Sequence, residues 1–410
     1  MKILIIDSLF TPFGGGQIIS YNTYKMLKNN GYEMYYWAMD KQPYFDNDYE
    51  YTKYFTPYYN GSIDYIKNPI KYYYNYKAKK DLKNFIRLIN PSIVHIHSTF
   101  GLSLSILNSC KNIPTVMTLH DSGLVCPGLK MLKNDNSYCK EQSCKNEKFI
   151  NCFINKCCNK SIEASLRHCL LSYLNKKLLH GIDMYITPSN SLKELVLNAN
   201  IGINENNIVT VNNFLSNDEI KDIQPNYNNK GYFLYIGRLS KEKGVHYLLE
   251  AMNYLPREIK LHIVGKGPEE ENLKRYANLN NLDNVKFLGF KNREEIKEEY
   301  QNCIATILPC NWFEIFGMTN IESFINGKPV IASNIGGIPE IVEDNVNGLL
   351  FEPANVEQLK ECILKYWNNP DLVIEHGKNG YKKAITQYTE ERYYKELMQV
   401  YEETINECKK

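Results

Sequence analysis

The chain has 410 residues, more than the roughly 250–300 that one hydrophobic core accommodates, so two domains are expected. Lys and Arg number 48 against 46 Asp and Glu, and a net charge of +2 gives no field that would gather nucleic acid. With 12% aromatic and 23% charged residues the composition is that of neither a disordered nor a membrane-embedded chain, and no apolar run nears the ~18–20 residues that span a bilayer. A soluble, cytoplasmic globular protein is the expectation.

Short β-branched and apolar runs alternate with helix-period segments along the whole chain. The opening run to Asp7 is too short for a signal-peptide core and reads as a buried first strand. Further strands are expected at 33–39, 92–97, 114–120, 183–187 and 208–212, and in the second half at 232–236, 260–265, 285–288, 304–308, 330–333 and 348–351. Between them, Val245, Leu248, Leu249, Met252 and Leu255 keep one apolar face. Pro268 followed by Glu269, Glu270 and Glu271 marks a helix start. Strands alternating with helices predict an α/β protein of two Rossmann-like, doubly wound parallel-sheet domains facing an interdomain cleft. The first domain is placed at 1–213 and the second at 228–390. Residues 391–410 read as a C-terminal helix returning to the first domain. Turn formers concentrate between the domains, at 213–230.

In open parallel sheets, ligands bind beyond the carboxyl ends of the strands, so the loops there carry the candidates. Phe13-Gly14-Gly15-Gly16 follows the first strand and lets backbone approach a phosphate or sugar, with Gly15 and Gly16 as donor contacts; a flexible turn is the plainer reading. Asp40, 24 residues beyond Gly16, sits where a dinucleotide site places its ribose-binding acid. The spacing does not give G-x-G-x-x-G, which leaves an NAD-dependent oxidoreductase a minor alternative. Between 67 and 87, seven Lys and Arg interleave with Tyr and Phe, a pattern suited to peripheral contact with an anionic membrane or to a solvated helix face. His95 and His97 alternate on one strand, so one of them faces the ligand side, and His97 lies nearer the carboxyl end. His120, followed by Asp121, closes the next strand.

Cysteine is concentrated directly after His120: seven of the twelve fall within 126–169, which reads as a Cys-rich insertion. Without an export signal a disulfide framework is not expected. The spacings of Cys126, Cys139, Cys144 and Cys152 are not the paired C-x2-C of a secure zinc site, so buried or free thiols are the main reading and a structural zinc the alternative.

In the second half, 237–244 (Gly-Arg-Leu-Ser-Lys-Glu-Lys-Gly) follows a strand directly. Arg238 offers a planar fork and Lys243 a point charge, both suited to a diphosphate; a solvated basic turn is the bland alternative. Further on, Glu314 lies on the loop after the strand ending at Leu308, Gly317 turns the chain, and a helix begins near Met318. The first amides of that helix lack partners and suit a phosphate. Glu322 lies one turn inside it. A carboxylate on either side of an anion site suits a ligand with hydroxyls at both ends of a diphosphate, as in a nucleotide sugar; two surface glutamates on an amphipathic helix are the alternative.

Glu314 and Glu322 with seven residues between them, the 237–244 loop, the Gly265-Lys266-Gly267-Pro268 turn and Asn334-Ile335-Gly336-Gly337-Ile338-Pro339-Glu340 together resemble the retaining glycosyltransferases of the GT-B fold, family 4. The resemblance spans the chain and is strongest across 232–351. It implies that Arg238 and Lys243 bind the donor diphosphate, Glu314 the sugar hydroxyls and Glu322 the ribose. Backbone at Phe316, Gly317, Met318 and Thr319 would hold sugar and phosphate. Val264, Gly265 and Gly267, with Leu288, Gly289 and Phe290, would enclose the base. His120 resembles the family histidine that meets the donor sugar near the reacting carbon. The expected activity is sugar transfer, with retention and no catalytic metal or other cofactor, from a UDP- or GDP-sugar to a glycan or lipid-linked acceptor in surface polysaccharide assembly. A nucleotide-sugar epimerase of the same fold and a non-catalytic binding protein are the alternatives.

Overall fold

The computed structural model describes residues 1–9, 14–39, 73–100, 102–135, 137–158, 161–179 and 181–408, with the side chains of 175–178 left out. Phe13, Asp40 and residues 67–72 lie outside the described residues.

Among the described residues, twelve short strands form two sheets of six, and every strand pair is parallel. The first sheet holds β1 (Lys2–Ile6), β2 (Glu33–Trp37), β3 (Ile93–Ile96), β4 (Thr115–Thr118), β5 (Met184–Thr187) and β6 (Ile208–Thr210) in the order 2-1-3-4-5-6. The second holds β7 (Tyr232–Ile236), β8 (Lys260–Val264), β9 (Val285–Gly289), β10 (Thr306–Leu308), β11 (Val330–Ser333) and β12 (Gly348–Phe351) in the order 12-11-10-7-8-9. Each order reverses once, between β1 and β3 in one sheet and between β7 and β10 in the other. Such a reversal leaves a crevice at the strands' carboxyl ends.

The chain divides into two compact units. The first comprises Met1–Lys130, Glu141–Phe214 and Glu390–Lys410, the second Met131–Lys140 and Leu215–Thr389. In the first, all four residues of Ile3–Ile6 are fully buried, as a strand covered on both faces requires. The helix Glu390–Glu407 belongs to this unit: the Tyr393 ring stacks on Phe214 at 4.2 Å, and the Tyr401 hydroxyl meets His95 Nδ1 at 2.7 Å. In the second unit the two-residue period sorts side chains between faces. Ile307 and Ile331 pack with Leu248, Leu249 and Leu359, whereas Leu308, Val330 and Ala332 pack with Ile321 and Phe324 of the helix Met318–Ile325.

Two differences from the sequence reading stand out. Met131–Lys140 groups with the second unit rather than with the Cys-rich insertion around it; its Leu132–Tyr138 bridge folds the segment on itself, and the Tyr138 ring stacks on Phe313. Several strands also end before the sequence suggests. β4 stops at Thr118, not His120: its pairing with β5 ends at Ile186, to whose carbonyl Leu119 N makes the last bond at 2.8 Å.

Candidate active site

In the second unit the loops at the reversal point are held together by glycine contacts. Gly244 has φ +72°, and a Cβ there would lie 1.8 Å from the Pro309 carbonyl oxygen, so only glycine lets the 237–244 loop press against the end of β10. That approach sets Lys243 beside Glu314: Nζ to Oε2 is 2.7 Å, and the side chains are only 23% and 12% exposed. Trp312 Nε1 donates to the same Oε2 at 3.0 Å, and its ring lies 5.0 Å beneath the ammonium. Burial is the largest single influence on Lys243 and depresses it, but the charge and hydrogen bond of Glu314, with Cys310 and Glu242 nearby, together outweigh it and hold the ammonium above its ordinary range. Gly337 N donates to the Glu314 carbonyl at 2.8 Å, which ties the 334–340 segment to the same loop.

The neighbouring loops join through backbone. Gly237 N donates to Val264 O, Leu239 N to Lys266 O, and Gly265 N to Gly289 O, at 2.8–3.0 Å. Gly237, Val264, Gly265, Gly267, Leu288 and Gly289 therefore lie at the ends of adjacent strands, and the Phe290 ring is 74% exposed beside them, an open stacking face. Arg238 is exposed, and its carbonyl accepts from the Tyr235 hydroxyl at 3.0 Å. After buried Phe316 and Gly317, half-buried Met318 and Thr319 begin the helix. Glu322 accepts from the Tyr300 hydroxyl at 2.7 Å, and burial pushes its carboxyl above the usual range.

In the first unit the reversal between β1 and β3 opens a cavity of about 370 Å³, lined by Asp7, Gly16, His97, His120, Asp121 and Phe149 among others. His97 Nδ1 shares a hydrogen bond of 2.9 Å with His120 Nε2, and the rings stack at 5.1 Å. His95, two residues away on the same strand face, has its ring only 4.1 Å from that of His97, so the two do not point to opposite sides as alternation suggested; it is held between Tyr401 and Thr118 Oγ1, each at 2.7 Å. Burial lowers all three histidines, His95 to about 3, His120 to about 4 and His97 well below its ordinary value, so all are neutral imidazoles at pH 7. His97 Nε2 is buried and has no hydrogen-bond partner among the described residues. Gly16 lies against His120: a Cβ there would stand 3.0 Å from the ring, whereas Gly15 faces open space.

Comparison with known proteins finds a family match for each half of the chain. Residues 13–219 match the family described as Glycosyltransferase Family 4, and residues 216–383 match Glycosyl transferases group 1. The chain belongs to glycosyltransferase family 4. An uncharacterized glycosyltransferase of Methanocaldococcus jannaschii is 26% identical over 98% of each chain. The O-antigen chain mannosyltransferase C of Escherichia coli is 31% identical over 38% of this chain and 43% of its own. Among solved structures, sucrose-phosphate synthase from Thermosynechococcus elongatus superimposes with a TM-score of 0.73 at 20% identity, covering 98% of each chain. Anabaena HepE in complex with UDP-glucose gives 0.69 at 17% identity over 98% and 99%. The fold of this family member is GT-B, and its class is glycosyltransferase.

The four cysteines weighed as a zinc set are not gathered into one. Among the described residues no three His, Cys, Asp or Glu side chains stand where they would hold a metal ion. Cys139 lies in the segment that joins the second unit, while Cys152 faces Cys158 with their sulfurs 3.6 Å apart. Sequence reasoning missed three groups. Local pattern marks Asp7 only as the end of a strand, yet it is buried against Ser8 and Tyr36, and its carboxyl is raised to about 6 by burial. Trp312 stands beside Glu314 in the sequence with nothing to give it a role, and Tyr300 carries no signal beyond a helix-face aromatic.

Proposed function

We propose that this family 4 member moves a sugar from a UDP- or GDP-sugar to a glycan or lipid-linked acceptor, with retention at the anomeric carbon. The observation that carries the reading is the Lys243–Glu314 pair at the reversal point of the second sheet, beside the N-terminus of the helix Met318–Ile325. A cation and a run of unpaired amides suit a diphosphate; a carboxylate beside them suits sugar hydroxyls.

In the proposed step the bond from the anomeric carbon to the diphosphate oxygen breaks, and one to the acceptor oxygen forms on the same face. The acceptor's proton passes to the leaving phosphate. Negative charge grows on that phosphate, and Arg238, Lys243 and the helix amides are the groups to stabilise it. Glu314 takes the sugar hydroxyls, Glu322 the ribose, and Phe290 with the glycine turns the base. His120 meets the sugar as a neutral hydrogen-bonding group, and Gly15 and Gly16 allow close backbone approach. These cations do the work of a divalent ion, so transfer is expected to survive chelator.

The likeness to an O-antigen mannosyltransferase supports a role in surface polysaccharide assembly, and HepE, solved with UDP-glucose, supports a nucleotide-sugar donor. Among the described residues no helix is long and apolar enough to cross a membrane. Work at the cytoplasmic membrane face would then use peripheral contact, to which exposed Lys77, Lys80, Lys83 and Arg87 of the helix Tyr76–Ile89 add charge while Leu82, Phe85 and Ile86 pack inward. A turnover and thermal-shift screen over UDP-, GDP- and ADP-sugars tests the reading. Consumption of one UDP- or GDP-sugar that requires an acceptor supports it; product formed without any acceptor overturns it in favour of an epimerase.

A further inference from the structure

The helix Ile162–Leu179 carries apolar side chains on two sides. One side faces the protein: Ser165 and Cys169 are buried, and His168, Leu171 and Ser172 line the 370 Å³ cavity. Away from it, Ile162, Leu166, Leu170 and Leu174 recur every four residues along one stripe, flanked by Tyr173, and all five are exposed. Ile150 and Ile154 of the preceding short helix are exposed too, Ile154 at 63%. A surface helix of a globular domain turns polar residues outward; this one keeps a second apolar face for something else to cover.

Charge identifies what covers it. Between 141 and 180 there are seven Lys and Arg against three Glu, so this stretch is +4 in a chain of +2. Lys145, Lys148 and Lys156 are exposed on either side of the short helix that carries Ile150 and Ile154, and Glu163 is the exposed acid at the start of the stripe. A second copy docking through the same face would bring two such patches together at like charge, which opposes an isologous dimer. An apolar stripe rimmed by cations is the pattern of a helix lying in the plane of an anionic bilayer.

We infer that the exposed apolar residues of 150–154 and 162–174 form a membrane-docking surface, seated in the headgroup region of an anionic bilayer, with the cavity of the first unit opening beside it. Its use in presenting a lipid-linked acceptor to that cavity rests on the proposed transfer reaction; the docking itself does not. The surface is distinct from the basic helix Tyr76–Ile89, whose apolar side packs inward.

The test is co-sedimentation of the full chain with phosphatidylcholine vesicles, with and without about one third phosphatidylglycerol, at low and high salt. Wild type is expected to partition onto the phosphatidylglycerol vesicles and weakly onto phosphatidylcholine alone. Leu166→Gln/Leu170→Gln/Leu174→Gln keeps charge and helix propensity, and is expected to lose at least about tenfold of the binding while melting like wild type. Lys148→Glu/Lys156→Glu is expected to weaken binding at low salt and to lose the salt dependence. Unchanged partitioning of the triple variant would overturn the inference. So would a wild-type dimer that the triple variant converts to monomer, which would assign the stripe to a second copy. Donor turnover with a water-soluble acceptor is read in parallel and is expected to be unaltered in the triple variant. A wild type that turns over no donor would defeat the transfer reading while leaving the vesicle result to decide this one.

Discussion

Lys243 and Glu314 come from segments 71 residues apart, yet each is the other's counter-ion in a largely dry setting, where an unpaired charge is costly. The histidines of the first unit solve burial differently, by staying neutral, and that makes stability depend on pH. Unfolded, each titrates near 6.5; folded, His95 titrates at about 3, His120 at about 4 and His97 well below its usual range. Between those limits the unfolded chain takes up protons that the folded one refuses. Their contribution is therefore complete above about pH 6.5 and drains away as the pH falls toward 4, by up to ~1.4 kcal/mol per pH unit for each. Asp7, raised to about 6, works in the opposite sense, since the folded state keeps a proton that the unfolded state releases. Asp121 and Glu322, also raised by burial, side with Asp7, whereas His168, His246 and His376, also lowered by burial, side with the three histidines; six groups against three leave a net loss in acid. The melting temperature is expected to drop between about pH 7 and pH 4.5, and His120→Asn to flatten that slope; a melting temperature that holds or rises would refute the buried neutral imidazoles.

At the scale of elements, the strands were legible because β-branched runs bounded by turn formers have one reading in a parallel sheet. Their carboxyl ends were not, and for a physical reason: the residues that leave the ladder there, such as His97 and His120, look like strand residues until the cavity beside them is seen. The loop 237–244 was legible through its glycines and cations, although nothing in the sequence said that Gly244 lies against Pro309. Two glycines separate strain from collision. Gly231 has φ +78° in open space, whereas Gly244 has φ +72° with the Pro309 carbonyl oxygen 1.8 Å from where a Cβ would stand. Gly231→Ala is expected to cost about 1 kcal/mol, and Gly244→Ala distinctly more, with loss of transfer as Lys243 moves off Glu314. Equal melting temperatures for the two variants would show that the contact at Pro309 is not rigid.

For the whole molecule, composition and alternation predicted two doubly wound sheets, and the described residues form two. The part that local pattern could not supply is long-range. The Met131–Lys140 segment leaves the first unit for the second without any local sign of it, whereas the last helix, expected to return to the first domain, groups with the first unit. That helix buries Tyr393, Leu397, Val400 and Tyr401, each worth roughly 1.5–3 kcal/mol of burial. A chain ending at Thr389 is expected to lose cooperative unfolding of the first unit while the second still melts as wild type; loss of both together would mean that the units fold as one. The site's acids and cations were readable because spacing and strand position converge on them, whereas the pairing of Lys243 with Glu314 is a fact of three dimensions. The most direct test of the account is kcat/KM for the donor that wild type uses, measured in Lys243→Ala and Glu314→Ala proteins whose folding is verified by thermal melting. A fall on the order of 10²–10³ in each is expected; wild-type kcat/KM in either would contradict the assignment of this pair to the donor.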